Sequence, residues 1–407
     1  MTLTIFLLTY AGMALGRIPG FRVDRTGVAL LGAIALLVSD RIAPEAAWMA
    51  VSFPTVALLF GLMVVSSAFI VSGFYDWVAR WVAGLPLGPR GLLALLIGVA
   101  AVLSSILTND VVAVAMVPLI LQLALARGLN PVPLLLGFCF AANTGAAGTV
   151  IGSPQNMIIA QGLNLSFTGF MAAALLPSML SLGLIWGVLA LVYRGKWLQA
   201  PVAGAAAPSF IPFERLETAK AALVTLVVVI AFMATDWPRE NVALGAAAVL
   251  LLNRRFSSTD MLAHVDGEVL LLLGSLFIVN AAMAATGLPQ EMIAALRDHG
   301  VDLAHPMTSF LTMGVLSDIV GNNPAALLLT PYLPRTDPEL TGAALALGSG
   351  FSSNVVIFGS LAGMIVVQTA QKHGVTISLG EFSKAGIPVT ILCMLLGVGW
   401  LLFLMGA

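Results

Sequence analysis

The chain has 407 residues, of which 59% are apolar and only 9% charged, and its formal net charge is -1. Soluble domains carry about 25% charged residues, so this composition cannot cover a water-facing surface and indicates a polytopic α-helical membrane protein. Long unbroken apolar runs exclude a β-barrel, whose strands alternate in polarity. The charge balance leaves no footprint for nucleic acid. Cys139 and Cys393 both fall in apolar runs, which argues against a disulfide framework or a Cys-rich metal site.

The N-terminal stretch MTLTIFLLTYAGMALG lacks a basic leader region and reads as a first span. Further apolar segments follow at about 26–39, 53–73, 91–126, 132–161, 170–193, 219–235, 240–252, 268–287, 307–333, 341–371 and 384–405. A membrane helix needs about 20 residues. The 91–126 and 307–333 segments are each interrupted near the centre by polar residues and Pro or Gly. Their halves read as too short to cross, so both are predicted to be re-entrant hairpins, which leaves ten full spans.

The two halves of the chain match at an offset near 213. LLFGLMVVSSAFIVSG (58–73) resembles LLLGSLFIVNAAMAATG (271–287), Asn109 faces Asn322, and Pro118 faces Pro331. Further on, VIGS (150–153) faces IFGS (357–360), and GLNLSFTGF (162–170) faces GVTISLGEF (374–382). Each repeat then holds three spans, a hairpin and two more spans. Five crossings are an odd number, so the second repeat must run through the membrane upside down, as in secondary transporters built from inverted repeats and broken helices. The expected organisation is a first repeat over 1–193 with its hairpin at about 91–126, an exposed linker over 194–218, and a second repeat over 219–407 with its hairpin at about 304–333.

Basic residues orient this map. With ten spans, fourteen of the 18 Lys and Arg fall on one side, face B, and four on the other, face A. The positive-inside rule makes face B the cytoplasm. Both termini are then outside, the linker is cytoplasmic, the first hairpin enters from the cytoplasm and the second from the exterior. The membrane expected is the plasma (inner) membrane.

Four polar stretches lie at membrane depth: LTNDVV (107–112), ANTGAAGTVIGSPQN (142–156), SDIVGNNP (317–324) and GSGFSSNVVIFGS (348–360). By the repeat they form two pairs, each a hairpin tip and an unwound helix. Exposed backbone N–H and C=O groups are tolerated at this depth only where they line a cavity or bind a solute. Gly, Ser and Thr also serve plain helix packing, but four symmetry-paired stretches carrying Asn and Asp favour one central site. The candidate solute- or ion-binding residues are Thr108, Asn109, Asp110, Asn143, Thr144, Gly145, Ser153, Asn156, Asn322, Asn323, Ser352, Ser353 and Asn354. No nucleotide motif, metal cluster or nucleophile–His–acid arrangement accompanies them, so no enzymatic activity, catalytic residue, metal or bound cofactor is expected.

TNDVVAVAMVPL and GNNPAALLLTP resemble the paired hairpin-tip motifs of the ion transporter superfamily, and GTVIGSPQN is similar to its Gly-Thr-x-x-Gly-Ser/Thr-Pro-Pro-Asn stretch. The resemblance implies an elevator-type transporter with a scaffold part and a moving transport part. The divalent-anion/sodium symporters of that superfamily carry Ser-Asn-Thr at both tips, whereas here Thr108-Asn109-Asp110 and Gly321-Asn322-Asn323 stand in those places. These tips, and GSLAGMIVVQTAQKHGVTISLGEFSKAG (359–386), resemble the arsenite/antimonite efflux permeases (ArsB-type). Bacterial permeases known only as anion transporters share LTND and a GNPQN close to GSPQN.

The residues themselves favour the first of these subgroups. The four stretches contain no Lys, Arg or His, yet carry Asp110 and Asp318. Ionised, these would repel a dicarboxylate; exchanging protons near neutral pH, they suit proton coupling. Asp318 lies four residues before Asn322, about one helical turn. Arsenous acid is largely neutral and presents three hydroxyls, which Asn amides match by both donating and accepting. The expectation is export of arsenite or antimonite in exchange for protons, driven by the proton motive force, with sodium as the alternative coupling ion. The alternatives are a sodium- or proton-coupled (di)carboxylate or inorganic-anion transporter and a sodium/proton exchanger of the same superfamily. Trivalent arsenic is thiophilic, but the lone thiol of Cys139 within a span reads as packing. The expected partners are a small inorganic or anionic solute and membrane lipid; a homodimer and a separate ATPase subunit are both compatible.

Overall fold

The computed structural model describes residues 1–16, 20–198 and 211–406. Residues 199–210 of the predicted linker, along with 17–19 and Ala407, lie outside them. Every named element among the described residues is helical. In the first half these are α1 (Thr2–Leu15), α2 (Arg25–Val38), α3 (Pro44–Ala50), α4 (Phe53–Val71) and α5 (Phe74–Gly84). They continue with α6 (Pro89–Ile106), α7 (Asn109–Ala126), α8 (Pro131–Ala146), α9 (Pro154–Leu163) and α10 (Phe167–Val192). In the second half come α11 (Arg215–Ala234), α12 (Arg239–Leu251), α13 (Ser258–Leu262), α14 (Gly267–Ala284) and α15 (Leu288–Asp298). The last are α16 (Pro306–Val320), α17 (Asn322–Leu329), α18 (Pro338–Ser352), α19 (Leu361–Lys372) and α20 (Leu379–Gly406).

Seven of these helices (α4, α6, α7, α10, α11, α14 and α20) are long and apolar enough to cross a membrane by length and composition. The order recurs from one half to the next: two helices, a short one, a long one, a peripheral one, a pair meeting at a tip, a broken pair and a long final helix. Packing recurs with it. α6 lies on α8 as α16 lies on α18, α2 on α14 as α12 on α4, and α7 on α19 as α17 on α9. Proline at the first or second position starts α6, α8, α9, α16 and α18, where its missing N–H has no helical partner to lose.

Two segments depart from expectation. The halves of 91–126 are not too short: α6 and α7 have 18 residues each and both qualify as spans by length and composition. The polar cluster does not shorten α7 because Asn109 and Asp110 form its first turn, where backbone N–H groups lack intrahelical acceptors anyway. Pro118 is accommodated inside α7. At the second tip α16 has 15 residues and α17 eight. The linker is also shorter than 194–218, since α10 runs to Val192 and α11 starts at Arg215. Its far end is not free in solvent: Ile211 N donates to Asp76 Oδ1 (3.1 Å), Glu214 N to Ser72 O (2.9 Å), and Phe213 stacks on Trp77 at 5.3 Å.

Loops assigned to one side by charge touch one another. On face B, Arg255 pairs with Glu214 and Asn130 N donates to Trp197 O at 2.9 Å. On face A, Arg335 Nη2 donates to Gly162 O (3.1 Å) and Ser166 N to Glu339 Oε1 (3.4 Å). Cysteines at the exposed positions Leu198 and Ser257 should therefore react with an impermeant maleimide from one face of oriented vesicles, and cysteines at Asp236 and Thr336 from the opposite face. Labelling of all four from one face would refute the two-sided arrangement.

Candidate functional site

The two tips line one cavity in the interior. The first forms where α6 ends at Ile106 and Thr108, in extended conformation, caps α7. The second turns at Gly321, whose φ of +99° excludes side chains that other residues would bring. Between the tips lies a cavity of about 790 Å³ lined by Asn109, Asp110, Gln155, Asn322, Asn323 and Ser360, among others. Of the sequence-predicted residues, Asn109, Asp110, Asn322 and Asn323 line this space. Asn109 N donates to Gly152 O at 2.9 Å, tying the first tip to the first broken helix. The buried Oδ1 atoms of Asn109 and Asn323 have no protein partner, so each tip holds an acceptor whose desolvation only a further donor can offset. Asp110 sits in the first turn of α7, where the helix dipole favours an anion.

The other predicted residues form the wall behind. Asn143 Nδ2 donates to Asn354 Oδ1 (3.0 Å) and Ser360 Oγ (2.9 Å), and Asn354 Nδ2 donates to Thr144 Oγ1 (3.3 Å). This buried network joins the broken helix α8–α9 to the broken helix α18–α19. Asn322 Nδ2 donates to Ser353 Oγ at 3.0 Å, so the second tip is moored to the second broken helix as well. Asn156 Nδ2 donates to the carbonyls of Ala146 (2.9 Å) and Thr149 (2.8 Å), at and just past the end of α8. Thr108 N reaches Ser66 Oγ at 3.4 Å, and Ser352 Oγ turns back to Ser349 O at 3.2 Å. Ser153 is fully buried at the start of α9. At Gly145 a Cβ would stand 2.6 Å from Ala101 Cα, so its visible role is the close approach of α8 to α6. Asp318 also lies behind the lining: its Oδ1 stands 2.9 Å from where a Cβ on Gly359 would sit. Cys139 is fully buried.

Several lining residues were not among the sequence candidates. Gln155 and Ser360 lie inside quoted polar stretches, and Ser360 is the repeat counterpart of Ser153. Asp24, Arg25, Asp266 and Glu268 come from the starts of α2 and α14. Arg25 corrects the expectation of a site without cations. Its Nε donates to Met13 O (3.1 Å) and its Nη1 to Phe358 O (3.4 Å), which sets the guanidinium at the cavity wall. Nothing in the local sequence separates Arg25 from Arg17 or Arg22. Among the described residues no group of three His, Cys, Asp or Glu is arranged to hold a metal ion.

A family model described as the citrate transporter family matches residues 10–350. The chain belongs to that family. It is therefore a multi-pass membrane transporter. It is similar to a 46 kDa membrane protein of Mycobacterium leprae, 28% identical over 97% of this chain and 96% of that protein. Over 40% of this chain and 34% of the relative, it is 35% identical to the rice (Oryza sativa subsp. japonica) silicon efflux transporter LSI3. The crystal structure of the Alcanivorax borkumensis YdaH transporter shares the fold, with a TM-score of 0.57 at 14% identity over 99% of this chain and 96% of that one.

The amide network predicts its own test. Replacing Asn143 or Asn354 by Ala leaves buried donors or acceptors unpaired, which costs about 1–3 kcal/mol. Each variant should unfold at a lower temperature than the parent in detergent, and an unchanged melting curve would show the network to be dispensable.

Proposed function

We propose that the chain is a secondary transporter that exports a small, uncharged, hydroxyl-rich solute, arsenite or antimonite as the trihydroxide, in exchange for protons. The observation that supports this reading most is the cavity lined by Asn109, Asn322 and Asn323 together with Asp110. Amides donate and accept at once, which suits a neutral polyol-like acid. Among the described residues, four carboxylates (Asp24, Asp110, Asp266 and Glu268) and the guanidinium of Arg25 line the space, a balance that disfavours a multiply charged anion. The name of the rice relative adds support, because silicon and trivalent arsenic share the chemistry of uncharged hydroxylated acids in neutral water.

A second reading has an observation of its own. Arg25 supplies a cation at the cavity wall, and the family is named for citrate, so sodium- or proton-coupled uptake or exchange of a small carboxylate or inorganic anion is the alternative. Expression in arsenite-sensitive cells separates the two: lower arsenite retention and better growth favour export, and unchanged sensitivity with properly inserted protein favours the anion.

In the proposed architecture, ten spans form two inverted repeats, 1–193 and 219–407, joined on the cytoplasmic side, with both termini outside the plasma membrane. Recurrence of helix order and of packing partners supports it. The second half of the chain would carry the transport elements past a scaffold, exposing the cavity to each side in turn, together with their counterparts from the first half. The proton carrier is Asp110, with Asp318 the next candidate. A proton moving down 100 mV supplies about 2.3 kcal/mol, roughly a fifty-fold solute gradient per charge, which is enough for uphill export without ATP.

Two variants test the roles. Asn109→Ala and Asn322→Ala should fold and insert but lose transport; normal flux in both would remove the tips from the binding site. Asp110→Asn should lose uphill flux and its pH dependence in vesicles with an imposed pH gradient. If it pumps with the parent's pH profile, the coupling proton is carried elsewhere.

A further inference from the structure

The two halves share an order of elements but not the same contacts, and the difference centres on two arginines. Arg25 and Arg239 are the first residues of α2 and α12, and they are counterparts at an offset of 214. On face A, Arg239 Nη2 donates to Leu165 O, just past the end of α9, and Gln161 Nε2 on α9 donates to Glu240 Oε2 at 3.4 Å. There α4 packs against α9. These bonds hold α9 against the start of α12, beside a smaller cavity of about 500 Å³ lined by Gln161, Gly162 and Arg335.

On face B, among the described residues, no hydrogen bond joins the counterparts of those residues. Gln161 corresponds to Gln368, Glu240 to Thr26, and Leu165 to Ile377. Thr26 and Gln368 both line the large cavity, as do Arg25, Val269 of α14 and Ile365 of α19. Arg25 does not reach Ile377, the counterpart of Arg239's acceptor. It donates instead to Phe358 O, near the unwound centre of the second broken helix. Between Phe358 and Ile377 lies all of α19, 12 residues long, or about 18 Å at 1.5 Å per residue. The same arginine position therefore meets the end of the broken helix in one half and its middle in the other.

We propose that Arg25 and Arg239 are paired positioning residues, each closing its own face: Arg239 holds face A shut through Leu165 O, and Arg25 shuts face B through the carbonyl of Ile377 when the cavity turns to face A. Because the repeats exchange roles, Arg239 then moves to the carbonyl of Ile151, the counterpart of Phe358. Thr26 and Gln368 come together as Glu240 and Gln161 part. This rests on the transporter reading above, in which the cavity is exposed to the two faces alternately.

The test uses the full chain in oriented vesicles, with Cys139→Ala and Cys393→Ala to clear the background. A single Leu361→Cys, at the cavity wall, reports exposure to an impermeant maleimide from each face. Arg239→Ala should lower the ratio of face-B to face-A labelling about ten-fold, the effect of one charged hydrogen bond. Arg25→Ala should raise it by a similar factor. Shifts in the same direction, or no shift in either, overturn the proposal. As a check independent of the arginines, a short bis-maleimide should bridge Gln161→Cys with Glu240→Cys, and in a separate protein Thr26→Cys with Gln368→Cys. If the first pair bridges, the second never does, and Leu361→Cys is still reached from both faces, the arginine pairing is wrong while alternating exposure stands. If Leu361→Cys in the parent is reached from one face only under every condition, the transporter reading fails and this proposal with it.

Discussion

Backbone polar groups have no water to turn to at membrane depth, and each one left unpaired there costs several kcal/mol. The whole centre of this molecule answers that constraint. Four helices stop in the interior, and their ends would be intolerable unless side chains or a solute met them. Asn156 Nδ2 donates to the carbonyls of Ala146 and Thr149, Asn109 N uses Gly152 O, and Ser360 Oγ accepts from Gly363 N at the start of α19. These polar residues are thus accounted for by the breaks they repair.

That division separates two kinds of polar residue that look alike in composition. Asn143, Thr144 and Asn354 spend their amides and hydroxyl on one another across the boundary between the halves. They make the two broken helices one unit, so a displacement of one carries the other. Asn109 and Asn323 keep buried acceptors without protein partners at the cavity. The former set joins the halves, although Asn143 Oδ1 also lacks a partner, while the latter acceptors belong to residues that line the cavity. A rigid binding unit against a separate set of helices is the mechanical requirement for moving a site without dissolving it.

Electrostatics of the cavity come from both parts. The tips contribute Asp110 alone, while the starts of α2 and α14 bring Asp24, Arg25, Asp266 and Glu268. The field at the tips is therefore set largely by the starts of α2 and α14. The arginine at the start of α2 and its counterpart at the start of α12 hold different levels of the opposing broken helices, so the asymmetry of the molecule is recorded in which carbonyl each guanidinium has reached.

Much of this was legible in the chain itself, because the lipid solvent makes hydropathy a direct readout of depth. Few charges, long apolar runs and a recurring Asn with small residues and Pro led to helices, to tips at 107–112 and 317–324, and to Asn109, Asp110, Asn322 and Asn323 as lining residues. Periodicity could not tell a broken helix from a capped one, so the lengths of α6 and α7 were underestimated: Asn and Asp read as interruptions until their place in a first turn is seen. Nor could sequence rank the remaining polar residues, since an amide that repairs a backbone break and an amide that faces a solute have the same composition and the same neighbours in the chain. Arg25 shows the limit most plainly. As one of several loop arginines it only weighted a charge count, and the meeting of α2 with the second broken helix, 333 residues away, is a contact that local chemistry does not encode. Proximity across the halves arises from packing, and packing alone decided which charges share the cavity.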